Sequence, residues 1–221
     1  MNDPSLADSI AYPPAPWALA GDALFATRTV AISRIRSLVP TPLRIVPVAP
    51  GRTLAVLAFL RYAEGSTIRY HEFICAPALV AKRTHVGSWI SHIHVDSIAS
   101  LAGGRALWSL PKRMASFLWG RHSIELKSPE ILCRLEVGPQ GGPALPLPLL
   151  APAFGTFRDA VSWFVATGRG RISRVAARLQ VDSPDLQEFG FQQVRHVYRI
   201  SNLRGTIYPA KALAPPSDAV T

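Results

Sequence analysis

A chain of 221 residues, 48% hydrophobic and 17% charged, can bury a sizeable core and is too apolar to stay disordered along its length. Twenty-four Lys and Arg against 14 Asp and Glu give a net charge of +10, which permits attraction to anions without choosing among them. No uninterrupted apolar run is long enough to span a bilayer, and Asp3 and Asp8 stand where a secretory leader needs positive charge, so the expectation is a cytoplasmic protein with no membrane partner.

Residues 1–16, rich in Pro, Ala and Asp without periodicity, read as a flexible N-terminal arm, residues 17–213 as one domain, and 214–221 as a tail. Ala23 to Ile32 favours extended structure. Ser33 then stands as the cap of a short helix, Arg34 to Val39, stopped by Pro40 and Pro42. Arg52 to Tyr62 reads as an apolar strand and Ile68 to Cys75 as its hairpin partner across the turn residues Glu64-Gly65-Ser66. Alternation places Tyr70, Glu72 and Ile74 on one face, with Arg69, His71 and Phe73 on the other. Glu72 therefore faces either solvent or an interior, and the pattern alone does not choose.

Lys82 to Val95 reads as another strand, ending in His92-Ile93-His94-Val95-Asp96. Alternate histidines and an aspartate share a spacing with metal sites, but two residues is the period of any strand. With no Cys partner and no helical His pair, no metal is expected, and Asp96 reads as the cap of a helix, Ile98 to Ala102, ended by Gly103 and Gly104. Cys75 and Cys133 sit in apolar strand contexts and read as buried free thiols.

The stretch from Gly104 to Trp119 sets two adjacent cations, Lys112 and Arg113, in an apolar segment. Burial against Trp108, Leu110 and Met114 would disfavour a charged lysine and leave an amine able to attack a ketone, forming a Schiff base that withdraws electrons from the neighbouring carbon. The alternative is an ordinary lysine after Pro111, its stem on apolar surface and its ammonium in water.

Ser123–Lys127 and Ile131–Val137 read as a hairpin with Cys133, Leu135 and Val137 on one face. Residues 139–152 carry five prolines and a Gly-Gly pair and read as a long surface loop. Phe157, Ala160, Val161, Phe164 and Val165 have helical spacing after Thr156, predicting an amphipathic helix ending by Gly168. Arg171–Val181 and Val194–Ile200 alternate as strands, with a helix start at Ser183-Pro184-Asp185 between them. The arginines from Arg169 to Arg178 fit a half-buried strand. No nucleic-acid-binding signature accompanies them, so no nucleic-acid partner is expected. No nucleotide loop, Ser-His-Asp order or repeat is present, and no cofactor is expected. These patterns define a mainly β (α+β) domain with a few short helices.

Gly104-Arg105-Ala106-Leu107-Trp108-Ser109-Leu110-Pro111-Lys112-Arg113 resembles the signature of the acetoacetate decarboxylase family, in which a Gly-Arg-Glu run leads through apolar residues to Pro-Lys-Lys. Leu38-Val39-Pro40-Thr41-Pro42-Leu43, Tyr70-His71-Glu72 and Val95-Asp96-Ser97 resemble further elements of that family, in its order, over about Pro16 to Leu213. The resemblance implies a closed, cone-shaped, largely antiparallel β-barrel and a homo-oligomer. It implies a Schiff-base lyase, foremost a decarboxylase of a small 3-oxo acid. Lys112 and Glu72 would be the catalytic residues, and Arg113, Tyr70, Leu110 and Met114 would bind substrate. Aldolase, dehydratase or cyclase action on a 2-oxo acid is the alternative within the family, and a non-catalytic barrel holding an apolar metabolite is the alternative outside enzymology. The chain departs from the family in three places. Arg113 replaces the second lysine, Val56, Leu57 and Ala58 occupy the region of a further pocket glutamate, and Gly21 or Asp22 stands near the place of an arginine.

Overall fold

The computed structural model describes residues 10–213. The expected terminal arm, up to residue 9, and the tail, from residue 214, lie outside the described residues. Among the described residues fourteen strands form one sheet, with β1 Trp17–Ala31, β2 Arg44–Ile45, β3 Arg52–Tyr62, β4 Tyr70–Ala76, β5 Ala78–Lys82, β6 His85–Trp89 and β7 His92–Val95 in the first part of the chain. β8 Lys112–Met114, β9 Ser116–Trp119, β10 Ser123–Lys127, β11 Leu132–Phe157, β12 Ala160–Asp182, β13 His196–Ile207 and β14 Lys211–Ala212 complete it. Helices are short: α1 Ile32–Ile35, α2 Ile98–Trp108, α3 Pro184–Glu188 and one 3-10 turn, Phe191–Gln193.

The mainly β class is as expected; among the described residues the hydrogen-bonded path runs from β2 through β5, β6, β11, β12, β13, β1, β3, β4 and β7 to β8 and is not closed into a barrel by hydrogen bonds. Most pairs are antiparallel. β6 with β11 and β7 with β8 are parallel.

The central strands are apolar on both sides because each separates two apolar compartments. On β3, Ala55, Leu57 and Phe59 enter the main core while Leu60 and Tyr62 face a second, smaller one. On β4, Phe73 and Cys75 enter the main core while Tyr70, Glu72 and Ile74 face the second compartment. On β1, Leu24 and Ala26 face the core, and Trp17, Leu19 and Ala23 face the other side. Both cysteines are free and buried, and burial pushes the Cys133 thiol up to about 12.

Several sequence expectations are corrected. α1 begins at Ile32 and is four residues long, and the chain from Arg36 onward is a turn tied by Arg36 Nη2 to the Val39 carbonyl. The single strand expected over Lys82 to Val95 is broken between Trp89 and His92, and Ser91 donates its amide to Cys75. α2 is capped by Ser97 rather than Asp96 and runs straight through Gly103 and Gly104 to Trp108. Residues 139–152 belong to β11, one long strand paired with β12. Pro146, Pro148 and Pro152 share a parity, so their nitrogens face one edge, and over this stretch β11 has a ladder partner along the other edge only. The expected helix after Thr156 is a two-residue turn at Arg158-Asp159 leading into β12. Arg158 has φ 54, and Ser162 and Phe164 are buried at strand spacing. Among the described residues no helix is long and apolar enough to cross a membrane.

Candidate active site

The second compartment holds a cavity of about 270 Å³ bounded by β1, β3, β4, β7, β8, β11, β12 and β13. Trp17, Leu60, Ile74, Ile93, Trp108 and Phe164 form much of its wall, and Leu149, Leu150 and Ala151 lie at one end. Leu150 and Ala151 are exposed, so the cavity opens there. The opposite end is closed by Lys112, Glu72, Tyr62 and Tyr70.

Alternation and a sharp return of the chain bring those four together. In the β3–β4 hairpin Tyr62 lies directly opposite Tyr70 and Leu60 opposite Glu72, so one face carries both phenols and the carboxyl. After α2, Ser109 takes a left-handed conformation at φ 50, and the Ser109 and Leu110 amides both donate to the Gly104 carbonyl. The chain then doubles back along the helix as β8, and Lys112 pairs with Ile93 on the cavity side. Gly104 leaves room for this return: a Cβ there would lie 2.4 Å from Lys112 Cε. Arg105 donates from Nε and Nη2 to the Lys112 carbonyl, at 3.0 and 2.7 Å, and fixes the lysine's backbone.

The result is a buried, hydrogen-bonded ion pair. Lys112 Nζ is 2.7 Å from Glu72 Oε1, 2.8 Å from Ser100 Oγ and 3.5 Å from the Tyr70 hydroxyl, with the two charged side chains only 3% and 5% exposed. Glu72 also accepts from the Tyr62 hydroxyl at 3.0 Å and from Tyr70 at 3.2 Å. Burial, reinforced by the Glu72 charge, holds both phenols well above the usual tyrosine range, so they remain protonated donors. The Lys112 ammonium lies 5.0 Å from the centre of the Tyr70 ring.

Of the six residues named from sequence, Lys112, Glu72, Tyr70 and Leu110 line the cavity. Arg113 does not: one residue along the strand, it points away, 54% exposed and paired with Glu130. Met114, at the end of β8, is exposed and lies outside the lining. Two contacting residues were not anticipated. Tyr62 was readable from the hairpin register. Ser100 became visible only with the true extent of α2, which sets it against β8.

The histidines serve the opposite face of β7. His94 packs on Phe73, His92 on Phe189, and Asp96 binds the amide and ring of His71. Among the described residues no three His, Cys, Asp or Glu side chains gather as a metal site.

A β-rich fold whose apolar cavity ends on a buried lysine–carboxylate pair defines a class, and the comparisons name it. A family model described as acetoacetate decarboxylase (ADC) matches residues 3–140, and the chain belongs to this family. It is similar to the solved acetoacetate decarboxylase of Legionella pneumophila subsp. pneumophila str. Philadelphia 1 (16% identity, TM-score 0.58, covering 92% of this chain and 89% of that one). It is also similar to the enduracididine biosynthesis enzyme MppR, solved in complex with pyruvate (14%, TM-score 0.60, 94% and 93%). An acetoacetate decarboxylase-like enzyme from Sphingomonas wittichii RW1 is a third such structure (16%, TM-score 0.57, 90% and 93%). Likeness at these identities carries the fold and not the reaction. No curated protein matches the chain.

Proposed function

We propose that the protein is a Schiff-base carbon–carbon lyase that decarboxylates a 3-oxo acid, with Lys112 as nucleophile and Glu72 as its proton partner. The observation that carries this reading is the 2.7 Å contact between Lys112 Nζ and Glu72 Oε1 at the closed end of an apolar cavity. Transfer of one proton along that contact converts the ammonium to an amine without exposing either group to water. The amine adds to the 3-oxo carbon, water leaves, and a protonated imine forms. The electron pair of the bond between C1 and C2 then moves toward the iminium nitrogen, carbon dioxide departs, and an enamine remains. Glu72, having given its first proton to the hydroxyl that left as water and taken one from solvent, protonates C2, and hydrolysis of the imine releases a methyl ketone and restores the lysine ammonium. The net change is one proton consumed and one carbon dioxide formed.

The wall of the cavity favours decarboxylation over the family's 2-oxo-acid reactions. Among the described residues that line it, Lys112 is the one cation. A substrate keeping its carboxylate through an aldol, dehydration or cyclisation step would hold that charge in a largely hydrocarbon cavity with no second cation to pair it. A carboxylate that leaves as carbon dioxide loses its charge in the same surroundings, so a dry site assists its departure.

One observation favours a non-catalytic apolar-metabolite binder: all three Nζ donors are already engaged, by Glu72, Ser100 and Tyr70, as in a purely structural pair. Carbon dioxide release from 3-oxo acids, corrected for spontaneous loss, separates the two readings. Enzymatic release that disappears in Lys112→Ala supports the lyase. Ligand retention by both forms, with no release by either, supports the binder.

A further inference from the structure

We infer that the substrate is a 3-oxo acid bearing a hydrocarbon arm of about three to six carbons beyond the carbonyl, rather than the methyl of the smallest 3-oxo acid; this rests on the lyase reading above. At roughly 30 Å³ per water-sized group, the cavity of about 270 Å³ has room for about nine such groups. The carbonyl, methylene and carboxylate of a 3-oxo acid supply about six by the same count, so about three chain atoms more fit within the cavity. Leu149 and Leu150 line the open end of this same cavity, and carbons beyond those three pass out through it.

The wall along this path is hydrocarbon. The position opposite Glu72 on β3, where a second polar group would meet the substrate, is Leu60. The two indoles spend their N–H groups outside the cavity, Trp17 on the Pro13 carbonyl at 2.9 Å and Trp108 on the Tyr208 carbonyl at 2.7 Å, so their rings offer carbon to a ligand. Thr167, the polar lining residue away from the lysine end, is in register with Leu150 at the mouth. A four-carbon acid fills about seven of those nine places by the same count, and each further methylene that displaces water from the apolar wall favours binding about fourfold.

The test is a series of 3-oxo acids of four, six, eight and ten carbons, assayed for carbon dioxide and methyl ketone, with borohydride trapping of each in parallel. The six- and eight-carbon acids should exceed the four-carbon acid in kcat/KM by at least tenfold. Ala166→Leu, which adds bulk to the wall across from Ala151, should move the preferred length down by two or three carbons. Trapping with every acid but a flat or falling dependence on length overturns this inference and leaves the lyase reading standing. An absence of trapping with all four acids overturns both.

Discussion

Gly104 and Lys112 compete for one volume: a Cβ on the glycine would lie 2.4 Å from Lys112 Cε and 2.5 Å from its Cδ. The glycine stands inside α2, where it costs about 0.5–1 kcal/mol relative to alanine, so helix propensity alone would replace it. Its neighbour Gly103 is equally confined, with a Cβ there falling 2.6 Å from the Trp17 ring. Together the two glycines let α2 lie against both the lysine stem and the cavity wall.

Gly104→Ala should therefore keep the fold, since alanine suits the helix, and displace the lysine amine. A misplacement on the order of 1 Å is expected to lower the rate of imine trapping about 100-fold, with little change in circular dichroism. Trapping at the wild-type rate would show that the close approach has no bearing on reactivity.

Glu72 and Tyr62 are separable because Tyr62 touches Glu72 and not Lys112. Glu72→Gln should slow turnover by about 100-fold or more if the carboxyl carries the proton. Tyr62→Phe removes one donor from a buried carboxylate, at a cost of about 1–3 kcal/mol in stability, and should affect turnover less. Unchanged kinetics in Glu72→Gln would remove that residue from the chemistry.

The strands and hairpin of the N-terminal half were legible because alternation is kept over many residues and turn residues stand between them. Arg52 to Tyr62 was read with the boundaries that β3 has. What was lost depended on contacts distant in sequence. Gly103 and Gly104 look like a helix stop until Trp17 and Lys112 are set beside them. The prolines of residues 139–152 exclude a central ladder but not a strand with one free edge. Phe157 to Val165 matches a helical period by coincidence, and the left-handed Arg158 that turns the chain carries no local signal, since arginine is not a residue the turn demands. At the site, the resemblance implied that Arg113 binds substrate, whereas strand alternation sends it to the exposed pair with Glu130.

His94 makes stability depend on pH. Its ring is buried and neither nitrogen has a hydrogen-bond partner, with Nε2 3.6 Å from Glu130 Oε2. Burial lowers its pKa to about 4, against an opposing pull from Glu130. The unfolded ring titrates near 6.5, so between those values the unfolded state binds more protons than the folded one. Stability from this residue should be complete above about pH 6.5 and decline by up to about 3 kcal/mol as pH falls toward 4. Urea unfolding from pH 7 to 4.5 measures it, and His94→Leu should flatten that part of the profile. A mutant whose pH dependence matches the wild type would assign the loss to other groups.

The central claim is that Lys112 reacts as an amine, and borohydride reduction in the presence of a 3-oxo acid, followed by intact mass and peptide mapping, tests it most directly. The wild-type protein should gain one covalent adduct, located on Lys112. Lys112→Arg, which keeps a positive charge that arginine does not release, should gain none. Arg113→Ala, which alters only an exposed pair, should trap as the wild type does. No adduct on the wild-type protein, or an equal adduct after Lys112→Arg, would contradict the account.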